Sequence, residues 1–303
     1  MSRGRRIAGT VIGAGLAAGT ARAVGAALAR RPPGGAATWT RTNHRGEPVS
    51  LLAGPALAVA AVVAAAVTPG LPARTRAALV TAGAGAAALG GYDDLAGRGD
   101  RRGFRGHLGA LARGEVTTGA VKLAGIGAAG LAAAALAGGG PADVIVNAGL
   151  VAGGANLVNL FDLRPGRAIK VALTGAALLA VAGPSGTAPA VAGPAGAAAA
   201  LLPDDLAERV MLGDAGANCL GAMLGVAAAA RLSLPARVAL LAGIAGLTVA
   251  SEVVSFTAVI ERTPALHRLD MLGRRPPGPR PAAGPSDRPP EPGRAAEPTV
   301  IAP

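Results

Sequence analysis

The sequence predicts an all-α fold, a polytopic membrane helix bundle with about nine transmembrane helices. The first observation is that apolar runs of roughly 15–25 residues recur along the 303-residue chain, close to the length that crosses a bilayer. The second is that charge is confined to short islands between these runs, whereas soluble helices carry charge on their exposed faces. The third is that the runs are rich in Ala and Gly, which permit close helix packing in lipid. A soluble Ala-rich helical protein is the less favoured alternative.

The chain contains nine such runs, which lie at Ile7–Ala29, Ser50–Val67, Ala77–Tyr92, Thr117–Ala137, Val144–Phe161, Ala168–Ala182, Thr187–Leu202, Val210–Ala230 and Val238–Ile260. They define a membrane domain over residues 1–274, followed by a Pro/Arg-rich tail over 275–303 that composition predicts to be disordered. The first run also has the basic start and small-residue end of a signal peptide. We favour a membrane helix because further runs follow, and cleavage stays open.

The distribution of Lys and Arg predicts the orientation of the bundle. With the N-terminus outside, the inside islands hold 20 of these residues and the outside islands hold 7. The predicted location is therefore the plasma membrane, with the polar site facing the cytoplasm. A net charge of +12 with only 2% aromatic residues does not indicate nucleic-acid binding. We expect the basic loops to meet anionic headgroups or phosphate-bearing substrates. The single cysteine, Cys219, excludes an intrachain disulfide.

An aspartate opens the eighth run, in the segment Met211–Asn218. Asp214 lies between Gly213 and Gly216, at the start of an otherwise apolar helix. A carboxylate in a membrane helix is costly and is a candidate functional group. The alternative is a helix-start aspartate that satisfies free N–H groups. Asp204 and Asp205, in the preceding loop, are expected to cap this same helix.

Two further groups of polar residues lie near the ends of the third and fourth runs. Asp93 and Asp94 are adjacent and repel each other, so they must be solvated or hold a cation. Oxygen ligands in small number suit Mg²⁺ bound jointly with substrate phosphates. Lys122 lies about one turn into the fourth run. It either snorkels to the inner surface or points at a phosphate.

Polar residues also end the fifth and ninth runs. Asn156, Asn159 and Asp162 are spaced i, i+3, i+6 and fall within an arc of about 120° on one helix face. In lipid such side chains need partners, although chance polar residues at a helix end are the alternative. Glu252 is expected well inside the ninth run, protonated or paired with a cation. His267 and Arg268 follow that run.

The order and predicted depth of these motifs resemble the polyprenyl-phosphate N-acetylhexosamine-1-phosphate transferase family. The resemblance covers roughly residues 1–274 and rests on Asp93-Asp94, on Asn156/Asn159/Asp162, on Gly213-Asp214-Ala215-Gly216 and on His267. The chain departs from the family pattern at Leu163-Arg164-Pro165-Gly166, where a second aspartate is missing, and at Ala217, where a serine is usual. The family's histidine cluster is reduced to one residue.

The resemblance implies transfer of a sugar-1-phosphate from a UDP-N-acetylhexosamine-type donor to polyprenyl phosphate, with release of UMP. It implies that Mg²⁺ is the cofactor and that the catalytic and metal-binding residues are Asp93, Asp94 and Asp214. The substrate-binding residues that it implies are Lys122, Asn156, Asn159, Asp162, His267 and Arg268. By analogy it also implies a homodimer in the lipid bilayer.

Two other functions stay open. One is a non-catalytic relative that binds polyprenyl phosphate and acts in cell-envelope regulation or assembly, which the departures from the motifs favour. The other is a small-solute transporter. Clustering of the polar residues at one face, rather than at the bilayer midplane, argues against a transporter.

Overall fold

The computed structural model describes residues 3–97, 110, 113–182 and 188–276. Within these residues the chain is almost entirely helical, and the one sheet pairs β1 (Thr40–Thr42) with β2 (Pro48–Ser50) as an antiparallel hairpin. The helices are α1 (Arg3–Arg30), α2 (Ala36–Trp39), α3 (Ala53–Val67), α4 (Ala73–Ala96), α5 (Thr118–Ala137), α6 (Pro141–Phe161), α7 (Arg167–Ala182), α8 (Ala188–Leu206), α9 (Gly213–Ala229), α10 (Leu234–Ser251), α11 (Phe256–Arg262) and α12 (Pro264–Met271). The all-α prediction is confirmed for this part of the chain.

Four helices of the described residues are long and apolar enough to cross a membrane. They cover Ile7–Arg30, Thr118–Ala137, Pro141–Phe161 and Leu234–Ser251. Helix α10 buries only 6% of its apolar window inside the protein and exposes Leu247 and Val249, so its surface suits contact with lipid. The membrane prediction is thus supported for four helices, while the count of nine crossings stays a prediction.

Helix α9 forms the centre of the bundle and packs most closely against α4 and α6. Its buried residues include Leu220 and Met223, which lie in the common apolar core. Glycine permits the close approach to α6, because a Cβ on Gly221 would lie 2.1 Å from the Gly154 carbonyl oxygen. The Ala- and Gly-rich composition therefore serves backbone-to-backbone packing around one central helix.

The last predicted run is interrupted, which corrects the interpretation of Glu252. Helix α10 ends at Ser251, and Glu252 is its exposed C-cap residue. The chain then turns, and the Ser255 side chain caps α11 by accepting a hydrogen bond of 3.3 Å from the Ala258 N–H. The prediction of one continuous helix over Val238–Ile260 is wrong, and Glu252 follows the end of α10 instead of lying within a helix.

The predicted capping role of Asp204 and Asp205 is also wrong, because both residues belong to the end of α8. Asp204 forms ion pairs with Arg22 and Arg209 instead. Asp205 is buried, with a relative exposure of 3%.

The tail prediction falls mostly on 277–303, which lies outside the described residues.

We expect Gly221→Ala to lower the stability of the bundle by about 1–3 kcal/mol, because its methyl group overlaps the Gly154 carbonyl. Thermal unfolding in detergent measures this change. Gly127→Ala on α5 is the matched control, since nothing lies within 4 Å of the added carbon. Equal melting temperatures for the two variants would contradict the packing described for α9.

Candidate functional site

The β1–β2 hairpin lies against the segment that leads into α9. The Ser50 N–H donates to the Arg209 carbonyl at 3.2 Å, and the Met211 N–H donates to the Ser50 carbonyl at 2.9 Å. Immediately before Arg209, the buried Glu208 has φ 60°, a backbone conformation that non-glycine residues rarely adopt. Its carboxylate accepts hydrogen bonds from Arg45 Nε at 2.8 Å and Asn43 Nδ2 at 2.9 Å. These contacts hold the hairpin beside the N-terminus of α9.

Three of the predicted site residues form one ion-pair cluster at this end of the bundle. Lys122 Nζ lies 2.7 Å from Asp93 Oδ2 and also contacts Asp214 Oδ2. The three side chains are only 14–22% exposed. Lys122 therefore points at the carboxylates rather than along its helix toward the surface. The carboxylate cluster, as we name Asp93, Lys122 and Asp214, joins helices α4, α5 and α9.

Asp94 has a different set of contacts from its neighbour. Its Oδ1 accepts the Asp214 N–H at 3.0 Å, and its Oδ2 accepts the Ala215 N–H at 2.9 Å. A carboxylate from α4 thus satisfies free amides at the start of α9 and interacts favourably with the positive end of the helix dipole. Gly213, with φ 59°, leaves the space, because a Cβ there would lie 2.9 Å from Asp94 Oδ2. The catalytic and metal-binding roles of Asp94 stay predictions.

The residues of the Asn156/Asn159/Asp162 motif do not all face the same neighbouring helix. Asp162 is the C-cap residue of α6 and lies near the Gly213 backbone at the start of α9. Asn156 Nδ2 instead donates to Thr248 Oγ1 of α10 at 3.2 Å. The Asn159 carbonyl accepts the Asp162 N–H at 3.1 Å. Of the three, the structure brings Asp162 next to the start of α9 and directs Asn156 toward α10.

His267 and Arg268 lie on α12, which is held to the start of α7 by ion pairs. Arg167 donates to both oxygens of Asp270, at 2.7 and 3.1 Å, and Arg274 donates to Asp270 Oδ2 at 2.6 Å. His267 lines a cavity beside this clamp, whereas Arg268 is exposed and does not line that cavity. The structure therefore does not place either residue in contact with Lys122.

Two neighbouring cavities open beside the hairpin and share His44 and Arg164. The basic cavity, of about 340 Å³, is lined by His44, Arg45, Arg164, Glu261, His267, Asp270, Met271 and Arg274. The hairpin cavity, of about 300 Å³, is lined by Thr42, Asn43, His44, Val49, Asp162, Leu163, Arg164, Pro165, Asp205, Glu208, Val210 and Met211. Burial lowers the pKa of His44, and the nearby guanidinium of Arg164 lowers it further, while Glu208 acts in the opposite direction. Neither His44 nor Arg164 is among the site residues that the sequence predicts, although a phosphate-contacting role of the loop that contains His44 is one interpretation of the sequence.

The carboxylate cluster offers oxygen ligands of the type that Mg²⁺ prefers. Asp93 and Asp214 could bind the ion together with substrate phosphates, as Mg²⁺ sites with one or two carboxylates do. In this arrangement the Lys122 ammonium supplies the positive charge between them. In the described residues, no group of three or more His, Cys, Asp and Glu side chains is arranged so that it could hold a metal ion.

A scan of the chain against protein-family models and a search of the curated proteins both found no match. What is known of the site is therefore its geometry: a carboxylate cluster, a helix start capped by Asp94, and two cavities beside them.

We expect Asp94→Ala to lower the stability by about 0.5–2 kcal/mol, since two amides of α9 lose their acceptor. Asp94→Asn keeps one side-chain oxygen, so its loss should be smaller. The melting temperatures in detergent should fall in the order wild type, Asn variant, Ala variant. An Ala variant as stable as wild type would show that the cap contributes nothing.

Proposed function

We propose that this chain is a membrane transferase that moves a sugar-1-phosphate from a UDP-N-acetylhexosamine-type donor to polyprenyl phosphate and releases UMP. The reaction would serve cell-wall or surface-glycan synthesis. The observation that carries the proposal is the carboxylate cluster at the hairpin end of an apolar bundle, together with a cavity at the hairpin that is lined by three arginines. In such a site the phosphate of a lipid would enter sideways from the bilayer, and a water-soluble donor would enter from the cytoplasm.

In the proposed reaction the acceptor phosphate attacks the phosphorus that carries the sugar, and UMP leaves. Phosphoryl transfer depends mainly on in-line positioning and on neutralising charge. The Lys122 ammonium, which contacts Asp93 and Asp214, would also interact with a phosphate oxygen. Asp93 would accept the proton of the lipid phosphate, a modest task because the second pKa of a phosphate ester is about 6.

Mg²⁺ would be held by Asp214 and Asp93, with Asp94 nearby, and would neutralise charge on the diphosphate. Asp162, near the start of α9, and Asn159, in the last turn of α6, would orient the nucleotide. Asn156 is engaged with Thr248, so its part in substrate binding is the weakest of the three. His267 and Arg268 would bind the diphosphate from the α12 side. The enzyme would lie in the plasma membrane with this end in the cytoplasm, and would form a homodimer.

A non-catalytic protein that binds polyprenyl phosphate is the second candidate. The observation in its favour is that Lys122 already pairs with both Asp93 and Asp214, so the cluster is held together by an ammonium group alone. Such a protein would keep the fold and the lipid site for envelope regulation or assembly without transferring the sugar.

The test is UMP release by purified protein in detergent, with undecaprenyl phosphate, Mg²⁺ and a panel of UDP-N-acetylhexosamines. We expect release that requires both lipid and metal and that falls at least about 100-fold in Asp214→Asn, because a ligand and a charge for phosphoryl transfer are lost. Asp143→Asn is the matched control, since Asp143 pairs with Arg237 in the first turn of α6, far along that helix from Asp162.

Full release by Asp214→Asn would exclude the assigned role of Asp214. Absence of release with every donor, together with saturable binding of lipid phosphate, would replace the transferase by the non-catalytic candidate.

A further inference from the structure

The basic cavity brings together three arginines and two histidines from three distant parts of the chain. His44 and Arg45 come from the hairpin, Arg164 from the α6–α7 loop, and His267 and Arg274 from α12 and the residues after it. A fold that places three guanidinium groups around about 340 Å³ keeps like charges close together. That arrangement needs a source of negative charge.

The carboxylates of this region do not supply enough of it. Asp270 alone receives two guanidinium groups, those of Arg167 and Arg274, at 2.7 and 2.6 Å. Glu208 forms an ion pair with Arg45 and accepts a hydrogen bond from Asn43. Among the described residues, the exposed Glu261 at the rim forms no ion pair within 4.0 Å, although its charge acts on Arg164.

Arg164 is the arginine of this cavity that takes part in none of these ion pairs. In the described part of the chain it forms no ion pair, and its side chain donates only to the Leu163 carbonyl at 2.9 Å. Burial lowers its pKa, and the guanidinium groups of Arg167 and Arg274 lower it further. The Nε of Arg274, a side chain only 7% exposed, is buried without a hydrogen-bond partner in that same described part. Both arginines line the same cavity.

We infer that the basic cavity binds a substrate phosphate group, with Arg164 as its central cation. A guanidinium donates in a fixed fork that matches phosphate oxygens, and the two histidines add further donors around the same space. The identity of the ligand as a phosphate-bearing substrate rests on the proposed function. The site itself is separate from the carboxylate cluster, because none of the residues Asp93, Lys122 and Asp214 lines the cavity.

The phosphate belongs either to the lipid headgroup or to the nucleotide, and binding measurements separate the two sources. Purified full-length protein in nanodiscs is titrated with farnesyl phosphate, with UMP and with the uncharged compounds farnesol and uridine, in the absence of turnover. We expect Arg164→Gln to lower the affinity for one phosphate ligand at least about 10-fold and to leave the affinity for its uncharged counterpart unchanged. Loss for farnesyl phosphate assigns the lipid headgroup, and loss for UMP assigns the nucleotide.

Arg262→Gln is the control, because it removes the same charge from an exposed residue of α11 that does not line the cavity. Arg164→Lys should bind between wild type and Arg164→Gln, since it keeps the charge but not the fork. Removing Arg164 also relieves the crowding with Arg167 and Arg274. Without ligand, Arg164→Gln should therefore melt at or above the wild-type temperature, and ligand should raise that temperature less than in wild type.

The inference is overturned if wild type and both Arg164 variants bind farnesyl phosphate and UMP equally, or if phosphate gives no advantage over the uncharged compounds. Its failure is distinct from failure of the transferase. Arg164-dependent binding without UMP release supports the cavity and excludes the enzyme. UMP release that Arg164→Gln does not change, with unchanged affinities for both phosphate ligands, supports the enzyme and excludes the phosphate site in the cavity.

Discussion

The site depends on the contact between the Asp94 carboxylate and the first amides of α9. A buried helix start leaves free N–H groups that need acceptors, and the residue at the N-cap position, Leu212, has no side chain that could serve. Asp94 supplies both oxygens from another helix. This contact fixes the end of α4 against the start of α9, so that Asp93, the preceding residue, meets Lys122 and Asp214. One aspartate of the pair caps α9, and the other forms an ion pair in the carboxylate cluster.

The same contact explains why so many small residues are needed. A Cβ on Gly90 would lie 2.2 Å from the Asp214 carbonyl oxygen, and one on Gly213 would meet Asp94. Two helices can exchange hydrogen bonds at their ends only if their backbones approach this closely. Glycine at these positions is therefore a condition for the carboxylate cluster, and the weak hydrophobicity of the bundle follows from its close packing.

The sequence predicted the helices well, because apolar runs report burial or contact with lipid directly. It failed at the end of the ninth run, since Val253 and Val254 continue the apolar pattern through a turn. It also assigned the cap of α9 to Asp204 and Asp205, because capping rules use only neighbouring residues, whereas Asp94 is 120 positions away from Asp214. The Arg45–Glu208 pair spans 163 positions and left no local pattern. The convergence of Asp93, Lys122 and Asp214 agrees with the order of the motifs, while their catalytic roles stay predictions.

The two charge clusters are unbalanced in opposite senses. In the carboxylate cluster one ammonium faces Asp93 and Asp214, whereas in the basic cavity Arg164 is left without a carboxylate of its own in the described part of the chain. Partly buried charges are costly unless they are paired. The two imbalances call for ligands of opposite charge, because a cation suits the carboxylate cluster and an anion such as a phosphate group suits the basic cavity. The proposed metal site and the proposed phosphate site both depend on this difference in sign.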